Sequence, residues 1–346
     1  MADTAYMTDE AAEEERLMLD AIEKWIEQKV KPVAMEFEHA NEYPIDLVED
    51  MKELGLFGAL IDPEYGGLGL TASLYAKIVT RISEEWMSLT GIFNSHLMMA
   101  QIVQRFGTDK QKEYWLPKFA SGEIRGGLAL TEPNAGTDLQ ALTTKATRVG
   151  DKYVIEGAKT WISNAIEGQC VALLCKTDPS AEPRYKGMSI LITQTKNPET
   201  MEDLPGVTNG NKLEKLGYKG IDSGELIYTG YECDAELCLV GGEEGKGFKQ
   251  LMEAFDLERC GNSTMCLGIA QSALDQALDY VQERKAFGKE LVEFQAVQMK
   301  LAEMKIRVEA SRLLIWRAAK NAEDGLPSIL DSSLAKCFSN VYQRRQ

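Results

Sequence analysis

The stretch KATRVGDKYVIEGAKTWIS, residues 145–163, decides the fold. Apolar and polar residues alternate on both sides of Gly150-Asp151, the pattern of a β-hairpin closed by a tight turn. Three further runs, CVALLCKTD (170–178), GMSILITQT (187–195) and GELIYTGYEC (224–233), read as short strands divided by turn residues. Together they predict a β domain of roughly 110 residues, a small barrel or sandwich.

Outward from this region the apolar period becomes helical. On the N-terminal side Met18, Ile22, Ile26 and Val30 share a helix face, and Pro32 is expected to kink or end that segment. Pro44 opens and Gly55 closes a short helix, PIDLVEDMKELG; DPEYGGLGL (62–70) is a loop; residues 73–105 form a long apolar helical run. Beyond Gly247, the residues Phe248, Leu251, Met252, Phe255, Leu267, Ile269, Leu274, Leu278 and Val281 are expected to face inward at spacings of three and four. A second long helix is expected from about Val292 to Asn321. The predicted fold class is therefore α+β multidomain, with an all-α domain over 1–126, a β domain over 127–241 and a helical bundle over 242–346.

The final segment, SLAKCFSNVYQRRQ, has helical composition without a cap or closing turn, so the bundle is expected to be incomplete and the chain truncated. GGEEGKGF (241–248) is the stretch nearest to a nucleotide-binding glycine loop. Its spacing does not match the strand-Gly-x-Gly-x-x-Gly-helix fingerprint, and it reads as a turn entering a helix.

A net charge of -16 over 346 residues argues against nucleic-acid binding, which needs a basic face, and against docking on an anionic membrane. No apolar run approaches the ~20 residues of a spanning helix. The acidic N-terminus, MADTAYMTDEAAEEER, resembles neither a secretory signal nor a transit peptide, so a cytoplasmic location is expected. The seven cysteines form no CxxC pair and the histidines are only His39 and His96, so no metal site is expected and the thiols read as reduced and mostly buried.

Four segments carry candidate chemistry. LALTEPNAGTDL (128–139) gathers hydroxyls, an amide and a carboxylate; taken alone it is a turn. KTWISN (159–164) sets an aromatic and a hydroxyl at a strand end; taken alone it is a core tryptophan before a loop. ERKAFGKEL (283–291) is, taken alone, a basic helix C-terminus with a glycine cap. FDLER (255–259) places Glu258 beside Arg259, which by spacing alone is an exposed ion pair.

In this order the four segments resemble the acyl-CoA dehydrogenase family of flavoenzymes. PEYGGLGL (63–70), YWLPKFASGE (114–123) and KLGYKGIDSGEL (215–226) fit the same family, and the resemblance runs from about residue 8 to 340. It implies an N-terminal helical domain, a small β domain and a C-terminal four-helix bundle that builds a dimer of dimers, a homotetramer. It also implies FAD as cofactor, an acyl-CoA substrate and an electron-transfer flavoprotein as electron acceptor. Leu130 and Thr131 match positions contacting the flavin pyrimidine edge, with Gly136 in the same turn, and Thr137 matches a hydroxyl near the pyrophosphate and the pantetheine. Trp161 matches the aromatic covering one flavin face, and Ser163 the hydroxyl beside N5. Arg284 matches a pyrophosphate ligand reaching the neighbouring subunit, and Phe287 and Gln295 match residues around the adenosine.

The family removes a thioester α-proton with a carboxylate while the β-hydride goes to flavin N5, and it polarises the carbonyl as an oxyanion hole does. Glu258 matches the base of the group similar to isovaleryl-CoA and long-chain acyl-CoA dehydrogenases. Phe255, Asp256 and Arg259 match its neighbours near the CoA and the pocket. Met87 stands where members acting on dicarboxylic acyl groups carry an arginine, so the expected acyl group is uncharged: branched, short or medium. Phe93, Met98 and Met99 either line that pocket or belong to the core. Family members run further at the C-terminus, where they carry an adenine-holding segment and the loop whose N–H polarises the thioester. Two alternatives stay open: a same-family oxidase or reductase, and a non-catalytic paralogue acting in assembly.

Overall fold

The computed structural model describes residues 9–322, 325 and 327–343. It is an α+β protein whose chain runs through helices, then a sheet-forming segment, then helices again, as the periodicity predicts. Helix α1 (Asp9–Trp25) runs into a π-helical turn over Ile26–Val30, closed by the Lys31 N–H on the Ile26 carbonyl. Pro32 lies just beyond it and cannot continue the helix, because its ring would meet the carbonyl four residues back. Helix α2 (Ala34–Ala40) follows, and then α3 (Ile45–Glu53), which starts after Pro44 and stops before Gly55 at φ 70°.

Helix α4 (Ala72–Phe106) is interrupted at Trp86, whose backbone is extended (φ -154°, ψ 100°). The uninterrupted apolar pattern does not announce this break. Thr90 compensates by donating its hydroxyl to the Met87 carbonyl at 2.7 Å, and its Oγ1 lies 3.0 Å from the Ser83 Oγ across the break. Helix α5 (Asp109–Ala120) opens with a capping box between Thr108 and Gln111.

The sheet comprises β1 (Gly126–Ala129), β2 (Lys145–Val149), β3 (Lys152–Ser163), β4 (Cys170–Lys176), β5 (Met188–Gln194), β6 (Val207–Asn209) and β7 (Ser223–Asp234). Its order is β1-β4-β2-β3-β7-β6, with β5 paired to β4. The quoted stretch is the β2–β3 hairpin, in which Val149 opposes Lys152 across Gly150-Asp151. The inner face is filled by Tyr153, Ile155, Val171, Leu173, Leu191, Leu226 and Tyr228. Strand β3 pairs with β7 along its length, but the register shifts between Lys159 and Ile162. This bulge takes Thr160 and Trp161 out of the ladder.

The C-terminal elements are α6 (Ala235–Cys238), α7 (Gly247–Glu283), a two-residue hairpin β8 (Lys285–Ala286) with β9 (Lys289–Glu290), α8 (Gln295–Lys320) and α9 (Ile329–Gln343). Cys260, Leu267, Leu274, Val308, Ile315, Ala318 and Ala335 form a core shared by α7, α8 and α9, whereas Ala235 and Cys238 of α6 belong to the core of the sheet. The inward face predicted for α7 holds for Leu251, Leu267, Leu274 and Val281, whereas Ile269 and Leu278 are exposed. The pattern is imperfect because a 37-residue helix turns different faces to different neighbours along its length. At Gly268 the helix passes so close to α4 that a Cβ would stand 2.6 Å from the Thr80 carbonyl oxygen and the Ser83 Cβ.

The chain forms two compact units. One gathers Phe37–Leu70 and Gly91–Phe255; the other gathers the described parts of Met1–Glu36, Thr71–Thr90 and Asp256–Gln346. Among the described residues no helix is long and apolar enough to cross a membrane.

Candidate active site

In the unit that contains the sheet, the turn after β1 is anchored from below and open above. Glu132 is buried, and its carboxylate accepts from the Thr143 N–H (2.6 Å), the Thr143 hydroxyl (2.7 Å), the Thr144 N–H (2.9 Å) and the Lys159 ammonium (2.9 Å). Lys159 also donates to the Leu130 carbonyl at 2.9 Å, and the Thr160 N–H donates to the Thr131 carbonyl at 2.9 Å. The Glu132–Lys159 pair is dry, its side chains 4% and 0% exposed. Burial alone would raise the Glu132 carboxyl, but Lys159 and the hydrogen bonds from Thr144 and Thr143 outweigh it and bring it down to about 2. Leu130 and Thr131 are half-buried above this pair, and Gly136, Thr137 and Asp138 are exposed at the tip.

Trp161 sits on the bulge of β3 with φ 61° and is 57% exposed. A large aromatic held in the left-handed region with its ring in solvent is strained and unsheltered, a combination that fits a planar ligand lying over the indole. Ser163, half-buried, pairs with Ser223 on β7 at the end of the same strand. The following Asn164 is buried and donates to the carbonyls of Ile92 (2.9 Å) and Gly126 (2.8 Å), fixing the strand end.

Phe255, half-buried on α7, counts with the same unit as the sheet; Asp256 and the residues after it belong to the other. In that second unit Arg259 donates to Asp256, three residues back on the helix. Glu258 is half-buried and accepts from the Asn262 amide at 3.4 Å. Burial raises its carboxyl above the ordinary range, against the opposing pull of Lys336, Asn262 and Arg259. Met87 is half-buried just after the break in α4. Phe93, Met98 and Met99, in the unit with the sheet, are fully buried in the core.

Arg284 is exposed between α7 and the small hairpin. Phe287 stands at the hairpin tip with φ 51° and 97% exposure, edge-on to Phe294 at 6.3 Å, and Gln295 is exposed at the start of α8. Thus the sequence-predicted residues fall into a sheet-borne group and helix-borne groups. Glu132 and Lys159 were not singled out by sequence reasoning, although both lie inside quoted motifs.

The sheet-borne group suits a flavin: an exposed indole, a polar turn with free-standing hydroxyls, and a rigid base beneath it. The arginine and exposed aromatic of the hairpin suit a diphosphate and an adenine. Three family models match: the acyl-CoA dehydrogenase N-terminal domain over 12–123, the middle domain over 127–230 and the C-terminal domain over 245–345. The chain is 36% identical over 328 residues to (2S)-methylsuccinyl-CoA dehydrogenase of Cereibacter sphaeroides, covering 94% of this chain and 59% of that protein. It is 35% identical over 336 residues to the mitochondrial short-chain specific acyl-CoA dehydrogenase of Homo sapiens, covering 96% of this chain and 78% of that one. The solved structure of acyl-CoA dehydrogenase from Geobacillus kaustophilus superposes with a TM-score of 0.89 at 32% identity, covering 99% of this chain and 86% of that one. The chain belongs to the acyl-CoA dehydrogenase family, whose members are FAD flavoproteins.

Proposed function

We propose that this chain catalyses the FAD-dependent α,β-dehydrogenation of an acyl-CoA thioester with an uncharged short, medium or branched acyl group, giving the trans-2-enoyl-CoA, with Glu258 removing the α-proton. The observation that carries this reading is the state of Glu258: half-buried, raised in pKa by burial, and beside an Arg259 whose guanidinium is engaged by Asp256. A carboxylate so placed is a better proton acceptor than an exposed one, because desolvation makes its protonated form easier to reach.

FAD, when bound, accepts the β-hydrogen together with its electron pair. The groups assigned to hold and orient it are Leu130, Thr131, Gly136 and Thr137 from the turn and Trp161 and Ser163 from β3, with Arg284 assigned to the pyrophosphate of the neighbouring subunit's FAD and Phe287 and Gln295 to the adenosine. Thr137, Met87, Phe255, Asp256 and Arg259 are assigned to the thioester. No metal takes part in this reading.

Assembly as a homotetramer and reoxidation by an electron-transfer flavoprotein belong to the same proposal. Support for self-association comes from α8, where Met299, Ile306 and Leu313 recur every seven residues and are all exposed.

A second reading, a dicarboxylic acyl group, is favoured by the methylsuccinyl-CoA dehydrogenase relative. Met87 speaks against it, since a distal carboxylate buried beside a thioether would be unpaired. Anaerobic titration of the FAD-loaded protein with butyryl-, isovaleryl-, octanoyl- and methylsuccinyl-CoA separates the two. Bleaching of the flavin by the uncharged thioesters supports the first reading. Bleaching by methylsuccinyl-CoA alone contradicts it.

A further inference from the structure

We propose that Lys159 is a positioning residue for the flavin: held charged in the interior by Glu132, it fixes and polarises the Leu130–Thr131 peptide, so that the Thr131 N–H is the donor offered to the pyrimidine edge. This rests on the flavin reading of the turn given above.

Packing alone gives no reason for a lysine here. The side chain is completely buried, and an apolar residue would fill the place without the desolvation cost of an ammonium. What Lys159 does is join two acceptors, the Glu132 carboxylate and the Leu130 carbonyl, both at 2.9 Å. Thr143 and Thr144 occupy the rest of the carboxylate, so Glu132 is fixed as well as charged. The next carbonyl along the chain, that of Thr131, accepts from the Thr160 N–H. The carbonyls of Leu130 and Thr131 are therefore both bound to β3.

A trans peptide sets its N–H opposite its C=O, and the cis bond found here, at Glu182-Pro183, lies elsewhere. The Thr131 N–H accordingly points away from Lys159. The Glu132 N–H, by contrast, is spent on the Ala135 carbonyl at 2.8 Å. A cation on the Leu130 oxygen draws density from the peptide and strengthens its N–H as a donor. The low dielectric around the pair keeps this field unscreened. Reduced flavin carries more negative charge on its pyrimidine edge than oxidised flavin does, so the arrangement favours the reduced form.

The double substitution Lys159→Met with Glu132→Gln removes the charge without leaving a buried carboxylate unpaired. In the FAD-loaded protein the expected result is a tenfold or greater loss of affinity for reduced over oxidised FAD, read as a two-electron midpoint potential lower by about 30 mV or more. Lys152→Met, which removes the exposed pair with Glu232 from the same strand, leaves the potential unchanged. A double variant that carries FAD at the wild-type potential overturns the proposal.

Amide hydrogen exchange on the wild-type chain tests the donor without any substitution. Slowing of the Thr131 amide by FAD, about tenfold or more, supports the assignment. FAD uptake with unchanged Thr131 exchange overturns it while leaving the flavin reading intact. A wild-type chain that takes up no FAD overturns both.

Discussion

Glu258 and Glu132 are two carboxylates that their surroundings push in opposite directions. Burial raises Glu258, so its ionised form appears only as pH rises through the raised value, and kcat/KM is expected to climb with pH there and then level off. The same shift bears on stability. A carboxyl raised in the folded state contributes stability below its unfolded value, and that contribution is lost as pH rises through the folded value. Glu258→Gln is therefore expected to raise Tm at neutral pH while it removes activity, and a lower Tm would show that the charge stabilises the fold. For Glu132 the sign is opposite. Its folded value of about 2 lies below the unfolded 4.5, so its stabilisation is complete above the unfolded value and is lost as pH falls towards the folded one. Glu132→Ala, which leaves Lys159 buried and unpaired, is expected to cost about 3–5 kcal/mol in denaturant unfolding; a loss under 1 kcal/mol would mean that the pair is not charged. Lys159 was legible in principle. It shares the inward parity of Tyr153 and Ile155 on β3, and a lysine at such a position calls for a buried counter-ion. The electrostatic setting of Glu258 was not legible, because burial raises it through tertiary packing and one of the groups opposing that shift, Lys336, lies in a different helix far along the chain.

Element boundaries were readable where a single residue dictates them. Pro44 and Gly55 bracket α3, and Gly150-Asp151 turns the hairpin, because each acts through its own backbone. The break in α4 was unreadable, since no proline or glycine stands at Trp86; a hydroxyl four residues on compensates for it. Thr90→Val is expected to lower stability by about 1 kcal/mol, seen as a shift in urea midpoint with unchanged slope. An unchanged midpoint would show that the break is held by other contacts. The bulge on β3 was likewise invisible to alternation, which reads KTWIS as a continuous strand. It matters most of all for the proposed site, because it turns Trp161 outward. Gly268→Ala is expected to destabilise by about 1–3 kcal/mol, since its new methyl group would meet the α4 backbone at Thr80. Wild-type stability in that variant would mean that the helices can separate cheaply at this point.

At the scale of the molecule, the order of helices, sheet and helices followed from the change of hydrophobic period alone. The grouping of helices did not. The described part of segment 1–36 and segment 71–90 cluster with the C-terminal helices, while 37–70 and 91–126 cluster with the sheet, and nothing local in a helix says which neighbour it will meet. The family, by contrast, was legible from short motifs, because a cofactor constrains residue types more tightly than packing does. The exposed stripe of Met299, Ile306 and Leu313 leads to a prediction about assembly. Ile306→Asp with Leu313→Asp is expected to convert the proposed homotetramer to smaller species in light scattering, and an unchanged mass would remove this stripe from the proposed interface.

The proposed reaction depends above all on Glu258 as the base. It is tested most directly by stopped-flow bleaching of the flavin in wild type and Glu258→Gln, both loaded with FAD and mixed anaerobically with a saturating acyl-CoA that reduces the wild type. The variant is expected to bind the thioester but to reduce its flavin at least about 100-fold more slowly, as loss of a general base requires. Reduction at the wild-type rate would contradict it, and would leave Glu258 a half-buried helix carboxylate with no part in proton removal.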